Sequence, residues 1–179
     1  MFDFSQKQER IFSMDKKWYI SKRMLIWILP VLMAVGIFLF SAQPGDDSAQ
    51  LSSGFIQTVL NMLSKVKIFQ NRDMEELIVM LSTPVRKGAH ITEYIILYLS
   101  LVLAMYVSKL WKYRWVIFAL AITFLYACTD EFHQTFVPGR AGRFTDVLID
   151  STGALAVCIF LFYRMRKRQM KENADGRAD

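Results

Sequence analysis

Cysteine and histidine are both scarce: the 179 residues include two of each. Cys128 and Cys158 both lie in apolar segments, which argues for small buried residues rather than a disulfide or a metal ligand. No cysteine-pair zinc pattern, no H-E-x-x-H and no G-x-S-x-G occurs, so the familiar zinc-peptidase and esterase layouts are missing. No internal repeat or low-complexity segment is present. The first 23 residues are too polar for a signal peptide, and the first apolar run has no obvious small-residue cleavage site after it, so that run is expected to be a retained span. The formal net charge is +6, yet no basic stripe lies on a soluble domain, and nucleic acid is not an expected partner. Most basic residues sit at the two ends and beside apolar runs, where they favour an anionic membrane surface.

What the chain has in quantity is apolar surface. It is 54% hydrophobic, and these residues come in runs. Residues 1–23 mix lysine and arginine with Phe4, Trp18 and Tyr19, as expected of a basic interfacial arm. Residues 24–163 then form one membrane domain. A bilayer span needs about 20 mostly apolar residues, which predicts spans over about 24–41, 84–108, 114–134 and 146–163. Pro30 is expected to kink the first, which membranes tolerate. The third run, 115–129, is too short alone and becomes long enough only if its helix continues through Asp130, Glu131 and Gln134. Thr83-Pro84 reads as an N-cap with proline at the first helical position, and Thr145 as the cap of the fourth span. Leu51, Phe55, Val59, Leu63 and Val66 recur at helical spacing, predicting an amphipathic helix over 51–66. A further short helix is expected over 73–81. The tail, 164–179, is strongly basic at its start and is expected to fray.

The fold class is therefore an all-α membrane protein with four transmembrane helices. The flanks richest in lysine and arginine are the amino-terminal arm, the 109–114 turn and the tail. The positive-inside rule places them in the cytoplasm, so both termini are inside and the amphipathic loop between the first two spans faces outward. This topology sends Arg86–Tyr94, Asp130–Arg143 and Asp146–Asp150 to one outward membrane boundary. Ionisable groups at such a depth are costly and usually have a task.

Helical phase at about 100° per residue groups Arg86, Lys87, His90, Glu93 and Tyr94 on one face. It groups Tyr126, Asp130, His133 and Gln134 on another, with Glu131 turned aside, and aligns Asp146, Asp150 and Gly153 on a third. Gly153 has the size that lets a neighbouring helix approach. His90 with Glu93 or Asp130 is the candidate acid–base set, the carboxylate orienting the imidazole. Lys87, Tyr94, Gln134, Arg140, Asp146 and Asp150 are the candidates for holding an anionic group, with arginine suited to a bidentate grip. Histidine with several carboxylates also suits a divalent cation, which leaves metal assistance open. Plainer roles compete: Lys87, Asp130, Arg140 and Asp150 neutralising one another to lock the bundle, His133 as a solvated boundary histidine, Asp146 as a helix cap, and Arg86 and Arg143 as lipid anchors.

FSAQPGDDS after the first span, RKGAHITEY opening the second and TDEFHQTFVPGRAGRFTDVLIDSTG joining the third to the fourth resemble the VanZ-like family of small membrane proteins. The resemblance runs over residues 35–162. The last stretch carries most of it: an acidic pair, then Gln134, Phe136, Pro138-Gly139-Arg140, Asp146, Asp150 and Gly153. Asp150 departs from the family's D-x-x-x-N-x-x-G pattern by placing an acid where asparagine is usual. The resemblance implies an integral cell-membrane protein and, for the founding member, resistance to the lipoglycopeptide teicoplanin. Two functions stay open: an outward-facing site that binds, and in one version hydrolyses or modifies, an anionic envelope lipid or lipid-linked precursor; or a non-catalytic protein that shields such a target or intercepts the antibiotic, with 51–66 as a lid. A transporter fits less well, because the polar groups gather at one boundary and no relay crosses the inner half.

Overall fold

The computed structural model describes residues 23–63, 73–110 and 113–175. The expected interfacial arm, apart from Arg23, lies outside the described residues. So do 64–72, 111–112 and the last four residues. Among those described, all regular structure is helical: α1 (Ile28–Ser41), α2 (Gly45–Leu63), α3 (Met74–Val107), α4 (Tyr113–Gln134) and α5 (Phe144–Asp175).

Pro30 shapes the start of α1. It has no N–H for the carbonyl of Ile26, and Leu29 N takes that carbonyl instead at 3.2 Å. A helical turn over residues 23–25 is therefore separated from α1 by a break at 26–27, the expected kink placed one turn before the proline.

The amphipathic loop helix starts earlier than the periodicity predicts. α2 begins at Gly45, with Asp46 and Asp47 in its first turn, where carboxylates complement the positive helix end. Its apolar residues form two stripes. Ile56 and Leu60 are buried, whereas Leu51 and Phe55 from the predicted stripe are exposed. The small Ser53 on the inner side meets Ser82 of α3 at 3.4 Å, so α2 packs there and leaves its larger apolar residues outward.

Thr83 is not an N-cap. α3 runs unbroken through Pro84 for 34 residues, absorbing the separate helix expected over 73–81. It is capped by Asp73, whose side chain accepts from Glu75 N at 3.0 Å. One lost backbone bond at proline is outweighed by the continuous apolar stripe that follows. At the usual helical rise α3 is about 51 Å long, longer than a hydrocarbon core of about 30 Å, and α2 packs along its first part, where Ser53 meets Ser82. Nor does the tail fray at its start. α5 continues to Asp175 and projects from the opposite end. Its first residue is Phe144, so Thr145 lies inside the helix rather than capping it.

Packing centres on α3, which contacts α1, α2, α4 and α5. Alanines 119 and 127 of α4 and 154 of α5 are fully buried, and small side chains there let the helices close up. A Cβ on Gly153 would stand 2.6 Å from Ile95 Cδ1 and 2.7 Å from Ile91 Cγ2 of α3, so the close approach predicted at Gly153 occurs. Buried polar groups tie helices together: the Tyr126 hydroxyl donates to Ala34 O at 2.5 Å, and Tyr98 donates to Val116 O at 3.3 Å. Outside the core, Leu32, Val35, Leu39, Ile117, Phe118, Leu125, Ile159 and Phe160 are exposed. So large an apolar belt suits lipid rather than water. Among the described residues four helices are long and apolar enough to cross a membrane, as expected of a multi-pass membrane protein.

Candidate functional site

The carboxy-terminal ends of α1 and α4, the first half of α3 and the start of α5 meet around a cluster of polar residues. α3 presents Thr83, Arg86, Lys87 and His90, α4 presents Glu131 and Gln134, the connecting loop presents Gly139, Arg140, Ala141 and Arg143, and α5 presents Asp146 and Asp150. Together they line a cavity of about 370 Å³. Six of the nine predicted site residues are on its wall: Lys87, His90, Gln134, Arg140, Asp146 and Asp150.

Asp130, Tyr94 and Glu93 stand behind that wall. Asp130 is only 3% exposed, and its Oδ2 accepts from Ser41 Oγ at 2.8 Å, Tyr94 Oη at 3.0 Å and Gln134 Nε2 at 3.2 Å. One carboxylate oxygen thus joins α1, α3 and α4, while Oδ1 is buried without a partner. Glu93 Oε2 lies 3.3 Å from His90 Nδ1. With Nδ1 turned to Glu93, Nε2 is the imidazole nitrogen left for the cavity.

Within the cavity the charges are unevenly matched. Lys87 Nζ pairs with Asp146 Oδ1 at 2.8 Å. Arg143 N donates to Glu131 Oε2 at 2.9 Å, the carboxylate sitting where the positive end of α5 attracts it. Arg140 donates from Nε to Gln43 O at 3.2 Å and from Nη2 to Phe40 O at 3.4 Å, binding carbonyls at and just past the end of α1. Arg86 lies close enough that its charge, after burial, helps pull the Arg140 guanidinium below its ordinary value. Neither arginine has a carboxylate at ion-pair distance among the described residues. Two guanidiniums on one cavity wall can make a site for an anion, although the charges of Asp130, Glu131 and Glu93 also act on Arg140.

The loop that brings Arg140 in is held by backbone contact. Gly139 adopts φ of 71°, a conformation that favours glycine. Gly45 N donates to Pro138 O at 3.0 Å, and a Cβ on Gly45 would stand 2.1 Å from Gly139 O. A Cβ on Gly142 would likewise stand 2.1 Å from Glu131 O.

Two readings from the sequence change here, those of Glu131 and His133. Glu131, judged to point aside, is 7% exposed and lines the cavity, because the returning loop covers the side of α4 that it faces. Arg86 and Arg143 are on the wall of the cavity. Ser41 was not singled out at all; its signal was its place at the carboxy-terminal end of the first span, which the polar ends of the other spans adjoin. His133 is half-buried with its ring centroid 4.4 Å from that of Phe38, a packed rather than a solvated residue. Among the described residues no three His, Cys, Asp or Glu side chains converge to hold a metal ion. Both cysteines are free.

Fold and site together define a polytopic helical membrane protein with a charged cavity built at one end of its bundle. The VanZ/LLP1 family model matches residues 26–166, and the chain belongs to that family. No curated protein and no solved structure matches it.

Proposed function

We propose that this VanZ-family protein binds the anionic head group of a cell-envelope lipid or lipid-linked precursor in the cavity beside α3, on the outward side of the cell membrane. Both termini are cytoplasmic in this reading, and the bound lipid links the protein to lipoglycopeptide resistance of the teicoplanin type. The observation that carries it is that Arg86 and Arg140 share the cavity wall with no carboxylate at ion-pair distance from either among the described residues. Arg143 adds positive charge to the same wall, Lys87 being paired with Asp146, and basic flanks at the far end favour the cytoplasmic leaflet.

Arg86 is the cleaner test, because Arg140 also holds the loop to α1. Titrating the purified full chain in neutral detergent with glycerol 1-phosphate should show Arg86→Gln weakening binding at least about tenfold, the loss of one charge-assisted contact. Equal affinities for the two proteins would sink the assignment.

A catalytic version rests on His90, which lines the cavity and whose Nδ1 lies 3.3 Å from Glu93 Oε2. If lipid is hydrolysed, His90→Ala should abolish turnover while head-group affinity stays within about threefold of the parent. Binding without product over long incubation leaves the shielding reading, in which the protein withholds a lipid target or meets the antibiotic's acyl chain.

A further inference from the structure

Beside the charged cavity lies a second one of about 210 Å³, and the two share three wall residues, Arg86, His90 and Arg140. Its character is different. Phe40 at the end of α1, Leu51 and Phe55 of α2, and Val85 and Ala89 of α3 supply its apolar wall, beside Gln43, Ser48 and Ser52. Leu51 and Phe55 are the residues that the packing of α2 leaves outward, so the apolar cavity opens towards the side where lipid chains would lie. α2 is held over it by the burial of Ile56 and Leu60 and by the junction of Gly45 with Pro138.

From this juxtaposition we infer that the site takes a phosphate-headed amphiphile in two parts: the phosphate between Arg86 and Arg140, and the first stretch of one acyl chain in the apolar cavity under α2. The inference rests on the head-group reading and extends it. A polar cavity alone would accept free phosphate or a soluble phosphate ester as well as a lipid. An apolar cavity sharing its arginines has a use only for a molecule with a hydrocarbon attached within a few bonds of the anion. The two arginines are thus the hinge of the site, donating to the anion on one side while their aliphatic stems border the chain on the other.

Glycerol 1-phosphate and an eight-carbon lysophosphatidic acid separate the two parts, since they share a head group and differ in the chain. Both are titrated into the full chain and its variants in the same neutral detergent, so micelle partitioning cancels in each variant-to-parent ratio. Ala89→Trp, which fills the apolar cavity, should weaken the chain-bearing ligand at least about tenfold, the value of two or more buried methylenes at about fourfold each. It should leave glycerol 1-phosphate within about twofold. Val85→Trp fills the same space from the neighbouring turn and serves where Ala89→Trp does not fold. Arg86→Gln should weaken both ligands. If the tryptophan variants weaken both ligands alike, or neither, the acyl-chain assignment is overturned while the head-group reading stands. Insensitivity of both ligands to Arg86→Gln would remove the head-group reading, and this inference with it.

Discussion

Replacing Asp130 with alanine is expected to destabilise the bundle by about 2–4 kcal/mol, read as a fall in the thermal unfolding midpoint of the purified protein in detergent. The magnitude follows from what the substitution strands. Ser41, Tyr94 and Gln134 all donate to the same carboxylate oxygen, and an orphaned buried donor costs about 1–3 kcal/mol. Hydrogen bonds between membrane helices average nearer about 0.6 kcal/mol, which holds the total below the simple sum. Asp130→Asn should cost less than half as much. Its amide oxygen can replace Oδ2, and its nitrogen then occupies the place of Oδ1, which has no partner to lose. The pair of variants also separates two roles for Asp130. If it is a positioning residue, loss of head-group binding should follow loss of stability through the series. A catalytic Asp130 would instead make the asparagine protein stable and inactive. An unchanged melting midpoint in the alanine protein would show that the three-helix junction contributes nothing.

The second large effect is expected at Gly45. Gly45→Ala places a methyl group 2.1 Å from Gly139 O and 2.7 Å from Gly139 C, and both are backbone atoms that cannot rotate aside. Overpacking of this kind costs about 1–3 kcal/mol, and any retreat stretches the bond from Gly45 N to Pro138 O. Because Gly139 and Arg140 line the charged cavity, affinity for glycerol 1-phosphate should fall together with stability. Gly36 is the control. An added Cβ there meets nothing within 4 Å, and alanine is the better helix former by about 1 kcal/mol, so Gly36→Ala should be neutral or slightly stabilising. A Gly45→Ala protein indistinguishable from Gly36→Ala in both measurements would rule out the backbone junction as a support for the site.

The number of spans and the gathering of polar groups were legible because both rest on composition and period. An uncharged run between charged flanks fixes a span, and four antiparallel spans bring alternate loops to one end. Gly153 was legible for a similar reason: a small residue in phase with Asp146 and Asp150 points to a close approach. Features that depend on how two segments meet were not. Thr83-Pro84 carries a strong local start signal, yet the helix passes through it because tertiary packing on both sides keeps the backbone helical. Periodicity found the larger stripe of α2, whereas burial follows the side where Ser53 permits contact. Glu131 has the phase of a residue facing away, and only the loop folding back over it turns that direction into a cavity wall. The division between Asp130 behind the wall and Asp150 on it is likewise a matter of three dimensions, since both lie on polar stripes at the same end of the bundle.

The junction of Gly45 with Pro138 and Gly139 also constrains the order of biosynthesis. Its halves lie more than ninety residues apart, so it cannot close until the chain has been made through Pro138. Asp146 and Asp150 of the cavity wall follow that point in the sequence, and the charged cavity is therefore among the last features of the bundle that can be completed.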